Sequence, residues 1–91
     1  MSRQLVYLPG AEFDLAAIYD LIAAESPRAA FDYITDIGRR CEPLPYFPRL
    51  GRPIDDVLYR LSFDHRVSIY YGFDDRTLRV SAIRYLGRSL R

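Results

Sequence analysis

The sequence predicts an α+β fold in the order β-α-α-β-β-β, in which a helical hairpin packs on a small antiparallel sheet. Three observations predict it. Apolar residues recur at helical spacing in two stretches of the first half, and they alternate with polar residues in three stretches of the second half. Short breaks rich in Pro, Gly or Asp separate these stretches. Because 91 residues form one core, we expect a single domain over residues 1–91.

The first strand and the first helix come from the N-terminal quarter of the chain. β-forming residues fill the run RQLVYL at residues 3–8, and the Pro-Gly pair that follows predicts a turn. From Ala11 onward the apolar residues recur every three or four positions, which is typical of a helix with one buried stripe. That stripe comprises Ala11, Leu15, Ile18 and Ile22.

A second helix follows directly. Ser26 and Pro27 predict its start, because serine caps free backbone amides and proline suits the first helical position. Pro43 and Pro45 end it. Since the link between the helices is very short, they must be antiparallel, and their apolar stripes would cover one face of the sheet. The second stripe comprises Ala30, Ile34, Ile37, Cys41 and Leu44.

The segment between helices and sheet, PYFPRLGRP at residues 45–53, is rich in Pro and Gly. Its three large apolar side chains predict a connector that is pinned to the core by Tyr46, Phe47 and Leu50.

Residues 57–84 predict a three-stranded meander with two tight turns. Apolar and polar residues alternate in each strand, and the turns fall at Asp64-His65 and at residues 74–76. The side chains expected to share one face of each strand are Val57, Tyr59, Leu61 and Phe63, then Val67, Ile69, Tyr71 and Phe73, then Leu78, Val80 and Ala82.

Composition excludes several classes of function. All 13 cationic residues are Arg, which removes lysine as a base, nucleophile or Schiff-base former. A lone Cys41 and a lone His65 give no disulfide and no metal-spaced cluster, and no phosphate-binding glycine loop is present, so we expect neither metal nor cofactor. Without a signal peptide or an apolar run of membrane-spanning length, the sequence predicts a cytoplasmic protein.

The C-terminal part is the basic part. Residues 57–91 hold 7 Arg and 3 acids, whereas residues 1–56 hold 6 Arg and 9 acids. Arginines mixed with tyrosines suit contact with phosphates and bases, although a solvated sheet face has the same composition. His65 could act as a general acid or base beside these arginines, or be a polar turn residue. The mixed set is Arg60, Arg66, Arg79, Arg84 and Arg88 with Tyr59, Tyr70, Tyr71 and Tyr85.

Several segments in this order resemble the RelE/ParE superfamily of bacterial type II toxin–antitoxin toxins, and its ParE branch in particular. The segments are DLAAIYDLIA at residues 14–23, SPRAA at 26–30, FPRLGRP at 47–53, RVSIYYGF at 66–73 and AIRYLGR at 82–88. The resemblance implies a helical hairpin on a small antiparallel sheet, as the residue patterns do.

The branch determines the implied mechanism. Members similar to RelE cut messenger RNA on the ribosome with basic residues and often a tyrosine or histidine near the C-terminus, whereas members similar to ParE inhibit DNA gyrase. Leu86 precedes Gly87 where many relatives carry a histidine, and lysines are absent. The resemblance therefore favours a gyrase inhibitor that acts by binding and is not an enzyme, with Arg60, Arg66, Arg84 and Arg88 as target-binding residues.

Two alternatives remain open on the sequence: an endoribonuclease with His65 or Tyr85 exchanging protons, and a non-toxic module that only binds an antitoxin. All three interpretations imply a ParD-like antitoxin whose flexible tail wraps the toxin in a hetero-oligomer. Leu15, Tyr19 and Ile22 would divide between the core and a groove that receives an antitoxin helix. Acidic antitoxin residues would cover the arginines.

Overall fold

A computed structural model describes residues 3–86 of the chain. It has the predicted α+β architecture, with one additional short strand and a 3₁₀ turn at Pro48–Leu50. The elements are β1 (Gln4–Tyr7), α1 (Pro9–Ala23), α2 (Pro27–Cys41), β2 (Arg52–Pro53), β3 (Tyr59–Phe63), β4 (Val67–Phe73) and β5 (Thr77–Tyr85).

The sheet has the strand order β1-β5-β4-β3-β2. The predicted antiparallel meander of β3, β4 and β5 is confirmed. However, β1 pairs in parallel with β5, so the sheet is mixed and not wholly antiparallel. A parallel pair needs a long crossover, and here the helical hairpin and the meander lie between the two paired strands in the chain. The fifth strand, β2, has two residues and pairs antiparallel with β3.

Helix α1 begins two residues earlier than the sequence predicts. Pro9 and Gly10 belong to the first turn of the helix and do not form a separate β-turn. Proline is tolerated at the first helical position because the N–H that it lacks would have no partner within the helix. Gly10 also lies against β5: a Cβ at this position would be 3.2 Å from the carbonyl oxygen of Ser81. The close approach places the start of α1 directly over the sheet.

Helix α2 begins where the sequence predicts but ends at Cys41, before the predicted stripe reaches Leu44. The Ser26 hydroxyl accepts a hydrogen bond from the Ala29 amide at 3.1 Å, and Pro27 occupies the first helical position. Leu44 is fully buried, but it lies in the turns after Cys41 and not within the helix. No helix within residues 3–86 is long and apolar enough to cross a membrane.

The core lies between the helical hairpin and one face of the sheet. Its largest fully buried side chains are Tyr71, Ile37, Leu44, Ile69, Leu78, Val67, Val80 and Cys41. Val57 lies outside β3 and is 75% exposed, so the predicted strand face begins only at Tyr59.

A β-bulge in β5 reverses the predicted alternation. Tyr70 pairs with Ala82 and Tyr71 pairs with Val80, which leaves Ser81 without a partner on β4. The extra residue turns the following side chains to the other face, so Ile83 is buried in the core and Ala82 is not. The prediction that Ala82 shares a face with Leu78 was therefore wrong.

The connector is pinned to the core, but not by the predicted side chains. Tyr46, Phe47 and Leu50 are each more than half exposed. Instead, the buried Tyr71 hydroxyl donates to the Pro48 carbonyl oxygen at 2.6 Å and accepts from the Gly51 amide at 2.9 Å. One side chain of β4 thus fixes the approach to β2.

The predicted β4–β5 turn is held by Asp74. One carboxylate oxygen accepts from the backbone amides of Arg76 and Thr77, at 2.8 and 2.9 Å, and the other forms an ion pair with Arg79 at 3.1 Å. These backbone hydrogen bonds, together with the guanidinium, lower the pKa of Asp74 well below its ordinary value.

This lowered pKa predicts how Asp74→Asn alters acid stability. The stabilisation by the Asp74 carboxylate is fully present above the unfolded-state pKa of about 3.9 and is lost as pH falls through the lower folded-state pKa. We expect the free energy of unfolding of the wild type to fall below about pH 4 and that of Asp74→Asn to fall less steeply. Urea titrations between pH 2 and 7 measure the difference, and equal slopes would contradict the assignment.

Candidate functional site

The face of the sheet away from the helices is basic. We call it the open face. On β3, β4 and β5 the side chains that alternate with the core positions point to it, and their neighbours across the strands are known from the pairing. The open face comprises Arg52, Arg60, Ser62, Ser68, Tyr70, Arg79, Ala82 and Arg84.

Arg84 is anchored by an acidic residue of α1. Asp14 accepts from the Ile83 backbone amide at 2.8 Å and from the Arg84 guanidinium at 3.1 Å through the same carboxylate oxygen. Because β1 ends at Tyr7, this part of β5 pairs with β4 on one side and, within residues 3–86, has no strand on the other, where the carboxylate takes the place of a strand carbonyl. The Arg84 side chain remains 61% exposed.

Arg60 has a different environment. It pairs directly with Arg52 across β2 and β3, and within residues 3–86 neither side chain has an acidic partner in ion-pair distance. The two arginines line a groove of about 440 Å³. Its other lining residues are Leu50, Gly51, Leu61 and Ser62.

Arg66 lies in the β3–β4 turn, exposed and without an acidic partner among the described residues. Arg60, Arg66 and Arg84 therefore all belong to the meander of β3, β4 and β5. Arg88, the fourth predicted target-binding residue, lies outside the described residues.

Both candidate proton-transfer residues lie at the end of the sheet that holds the β3–β4 turn, where Arg66 also lies. His65 is an exposed turn residue with a φ of 54°, next to Asp64 with a φ of 64°. Positive φ at both central positions is typical of a type I′ hairpin turn. Tyr85 lies on the helix side of the sheet, where its ring packs edge-on against Tyr33 at 5.4 Å. The open face and Tyr85 are therefore on opposite sides of β5.

Tyr33 itself does not complete an acid–base pair. Its hydroxyl is buried and has no hydrogen-bond partner among the described residues, and burial raises its pKa to about 12. Within residues 3–86 no group of three or more His, Cys, Asp or Glu side chains could hold a metal ion.

The predicted antitoxin-binding residues differ in exposure. Leu15 and Ile22 pack against the core, whereas Tyr19 is 37% exposed. A second apolar stripe on α1 is more accessible, and Phe13 within it is 73% exposed. This stripe, which we call the α1 stripe, comprises Phe13, Ala17 and Leu21.

The α1 stripe borders a groove of about 230 Å³ between α1 and β5. Apolar side chains from both elements line it, and Asp14 and Arg84 lie at its edge. The groove lies where β5 extends beyond β1, so that within residues 3–86 the last residues of β5 have no strand on that side. Its apolar lining residues are Ala17, Ile18, Leu21, Ile83 and Tyr85.

Comparison with protein families identifies the chain. The sequence model described as "ParE toxin of type II toxin-antitoxin system, parDE" matches residues 5–89. The chain belongs to the ParE toxin family. A solved structure titled "Chromosomal ParDE TA system from P. aeruginosa" matches with a TM-score of 0.81 at 20% sequence identity, over 92% of this chain and 96% of that one. A comparison with curated protein sequences gave no match.

Sequence analysis missed three features of this ParE-family toxin. The pairing of Arg52 with Arg60 depends on a strand of only two residues, and the ion pair between Asp14 and Arg84 spans 70 positions. Neither leaves a local signal. The α1 stripe did leave one, since Phe13, Ala17 and Leu21 recur every four residues beside the core stripe.

Loss of the Asp14 carboxylate is expected to destabilise the toxin. Asp14→Ala leaves the Ile83 amide at the end of β5 without its acceptor, and such a loss costs about 1–3 kcal/mol of unfolding free energy. Arg84→Ala removes only an exposed ion pair and should cost less than about 1 kcal/mol. Urea unfolding of both variants measures the difference. Equal effects would show that the carboxylate acts through Arg84 and not through the amide.

Proposed function

We propose that this toxin inhibits DNA gyrase by binding, without hydrolysing a substrate, and that a ParD-like antitoxin neutralises it in the cytoplasm. One observation carries the proposal: within residues 3–86, Arg52, Arg60 and Arg66 have no acidic partner in ion-pair distance, and Tyr85 lies on the helix side of the sheet. Such a surface suits anionic partners, and binding them requires no proton transfer.

The spacing of the arginines supports a binding surface. Arg60 on β3 is aligned through Tyr70 with Ala82 on β5, and Arg84 lies two residues further along β5. This spacing places the Cα atoms of Arg60 and Arg84 about 12 Å from each other. Ser68 faces Arg84 across β4 and β5, and its hydroxyl lies 3.0 Å from that of Ser62. The Arg60 guanidinium has no acidic partner within residues 3–86, whereas that of Arg84 is held by Asp14.

RNA cleavage would require more than this surface. A general base must lie within hydrogen-bond reach of the attacking hydroxyl, and a general acid near the leaving oxygen. Tyr85 packs against Tyr33 on the helix side of the sheet, away from Arg60 and the open face, and His65 lies in the exposed β3–β4 turn. This separation favours a binding inhibitor over a nuclease.

A pair of assays on one purified sample tests the proposal. Gyrase supercoiling is followed together with detection of cleaved DNA, and cell-free translation is followed by primer extension on the message. Loss of supercoiling with trapped DNA cleavage and an intact message is the expected result. Codon-phased cuts in the message with normal gyrase activity would contradict it and favour a RelE-like nuclease. No effect in either assay would favour a non-toxic module.

We further propose that an amphipathic antitoxin helix binds along the α1 stripe and fills the groove between α1 and β5. The groove is apolar at its floor and charged at its rim, where Asp14 and Arg84 lie. A helix with apolar residues at positions i, i+4 and i+7 suits such a surface. Of the predicted residues, Tyr19 contributes its exposed ring, and Leu15 and Ile22 support the helix from the core side.

Ala17→Arg is expected to weaken antitoxin binding at least about tenfold, because a charged side chain would occupy the centre of the apolar groove. The stability of the free toxin should change little, since Ala17 is exposed. Ala29→Arg, at an exposed alanine of α2, is the matched control. Titration calorimetry with the antitoxin measures both. Unchanged binding by Ala17→Arg would place the antitoxin helix elsewhere.

A further inference from the structure

The last three residues of β3 form an open edge of the sheet. β2 pairs only with Tyr59 and Arg60, so residues 61–63 have β4 on one side and no strand on the other, within the part of the chain that the structure describes. Unpaired backbone groups along such an edge can pair with another extended chain.

The direction of the backbone groups can be worked out from the neighbouring contacts. The Leu58 carbonyl oxygen accepts from the Ile54 amide at 2.7 Å, and a Cβ on Gly51 would lie 2.8 Å from the Arg60 carbonyl oxygen. Both carbonyls therefore point toward the β2 side. Because strand residues two positions apart point the same way, the amide and carbonyl of Ser62 also point to that side, where no strand follows.

The same edge is strongly basic. Arg52 and Arg60 face each other directly, a placement that costs free energy for like charges. The groove of about 440 Å³ beside them contains no acidic side chain, and Leu50 and Leu61 supply apolar surface. An anionic group between the two guanidinium groups would relieve their repulsion.

We infer that this edge binds an acidic extended segment of a protein partner. Ser62 exchanges backbone hydrogen bonds with the segment, carboxylates on alternate residues reach Arg52 and Arg60, and the intervening apolar side chains pack on Leu50 and Leu61. A nucleic-acid backbone fits less well, because a phosphodiester accepts hydrogen bonds from arginine but cannot donate one to the Ser62 carbonyl. The inference rests on the proposed function in assigning the segment to the antitoxin.

This site connects binding to neutralisation. Arg60 is one of the residues that we propose contact the target, and a segment paired with β3 would cover it. The antitoxin would then block the open face directly, in addition to its helix on the distant groove between α1 and β5. Because two guanidinium groups bind the carboxylates, the affinity of the segment should fall with rising salt.

Ser62→Pro isolates the backbone contribution. Proline lacks the amide that points to the open edge, and an edge strand tolerates it because the ladder to β4 is not interrupted at that residue. Ser62→Ala is the matched control, since it removes the hydroxyl near Ser68 and keeps the amide. Arg52→Glu tests the charge separately and does not depend on whether the proline variant folds.

The probe is a short synthetic peptide of alternating glutamate and valine, titrated into the full-length toxin. We expect binding, added protection of the Ser62 amide from hydrogen exchange, and at least about a fivefold loss of affinity in Ser62→Pro and in Arg52→Glu, with Ser62→Ala unchanged. A short single-stranded oligodeoxynucleotide is the rival probe. If it protects the edge and the peptide does not, or if the peptide binds without protecting Ser62, the inference is wrong.

Peptide binding and gyrase inhibition are measured independently, so the two proposals can fail separately. Gyrase inhibition without peptide binding would overturn this inference and leave the proposed function in place. Peptide binding at Ser62 without gyrase inhibition would support the edge site and contradict the proposal that gyrase is the target.

Discussion

Reversing both Arg60 and Arg66 to Glu is expected to raise the toxin concentration needed for half-inhibition of gyrase supercoiling about a hundredfold. Each reversal removes an attractive contact and adds a repulsive one, and about 1.4 kcal/mol per site gives this factor. The fold should persist. A glutamate at position 60 would face Arg52 and form a favourable cross-strand pair, and Arg66 is exposed in a turn.

The matched control is the double variant Arg39→Glu/Arg76→Glu, which changes the net charge equally. Arg39 lies in the last turn of α2, and Arg76 lies in the turn at the other end of β4 from Arg66. If the two double variants lose inhibition equally, general electrostatic attraction and not the open face accounts for binding. Retention of full inhibition by Arg60→Glu/Arg66→Glu would remove these residues from the target-binding set.

Arg84 is less suitable for such a test. Its reversal to Glu would place two carboxylates together at Asp14, at a contact that also holds the Ile83 amide. A loss of toxicity could then result from unfolding and not from lost target binding. Arg66 has no such contact among the described residues.

Tyr71→Phe is expected to lower the free energy of unfolding by about 2–4 kcal/mol. The substitution removes the hydroxyl that donates to the buried Pro48 carbonyl oxygen and accepts from the Gly51 amide. Each group left unsatisfied costs about 1–3 kcal/mol. For a domain with a total stability of about 5–15 kcal/mol, this is a large fraction. Urea unfolding monitored by circular dichroism measures the change.

Two other tyrosines provide controls for this prediction. Tyr33→Phe removes a buried hydroxyl that has no hydrogen-bond partner among residues 3–86, so the stability of this variant should be equal to or above that of the wild type. Tyr70→Phe alters the neighbouring residue on the open face and should be nearly neutral. A Tyr71→Phe variant as stable as Tyr70→Phe would show that other contacts hold the connector.

Much of this fold could be predicted because its signals are local. The Ser26 cap and the following proline act within one helical turn, and the apolar stripes of both helices repeat every three or four residues. The turn at Asp64 and His65 joins adjacent strands, so the pairing of β3 with β4 followed from sequence order. In each case the interacting residues are close along the chain.

The sequence identified some candidate residues of the site but not their arrangement. The arginines of β3 and β5 were identified from the sequence, yet Ser81 shifts the faces of β5 by one residue, and no sequence pattern marks that bulge. Tyr85, placed with the arginines in the sequence, therefore lies on the helix side.

The sequence by itself determined the element order, the helical hairpin, the meander and the concentration of arginine in the C-terminal strands, and it supported membership in the ParE family. Tertiary structure alone decided that β1 pairs with β5, that Asp14 holds Arg84, and that Arg52 faces Arg60 at an open edge. The physical reason is that pattern and capping depend on neighbours in the chain. Strand partners and charge pairs distant in sequence depend on which surfaces meet when the core closes.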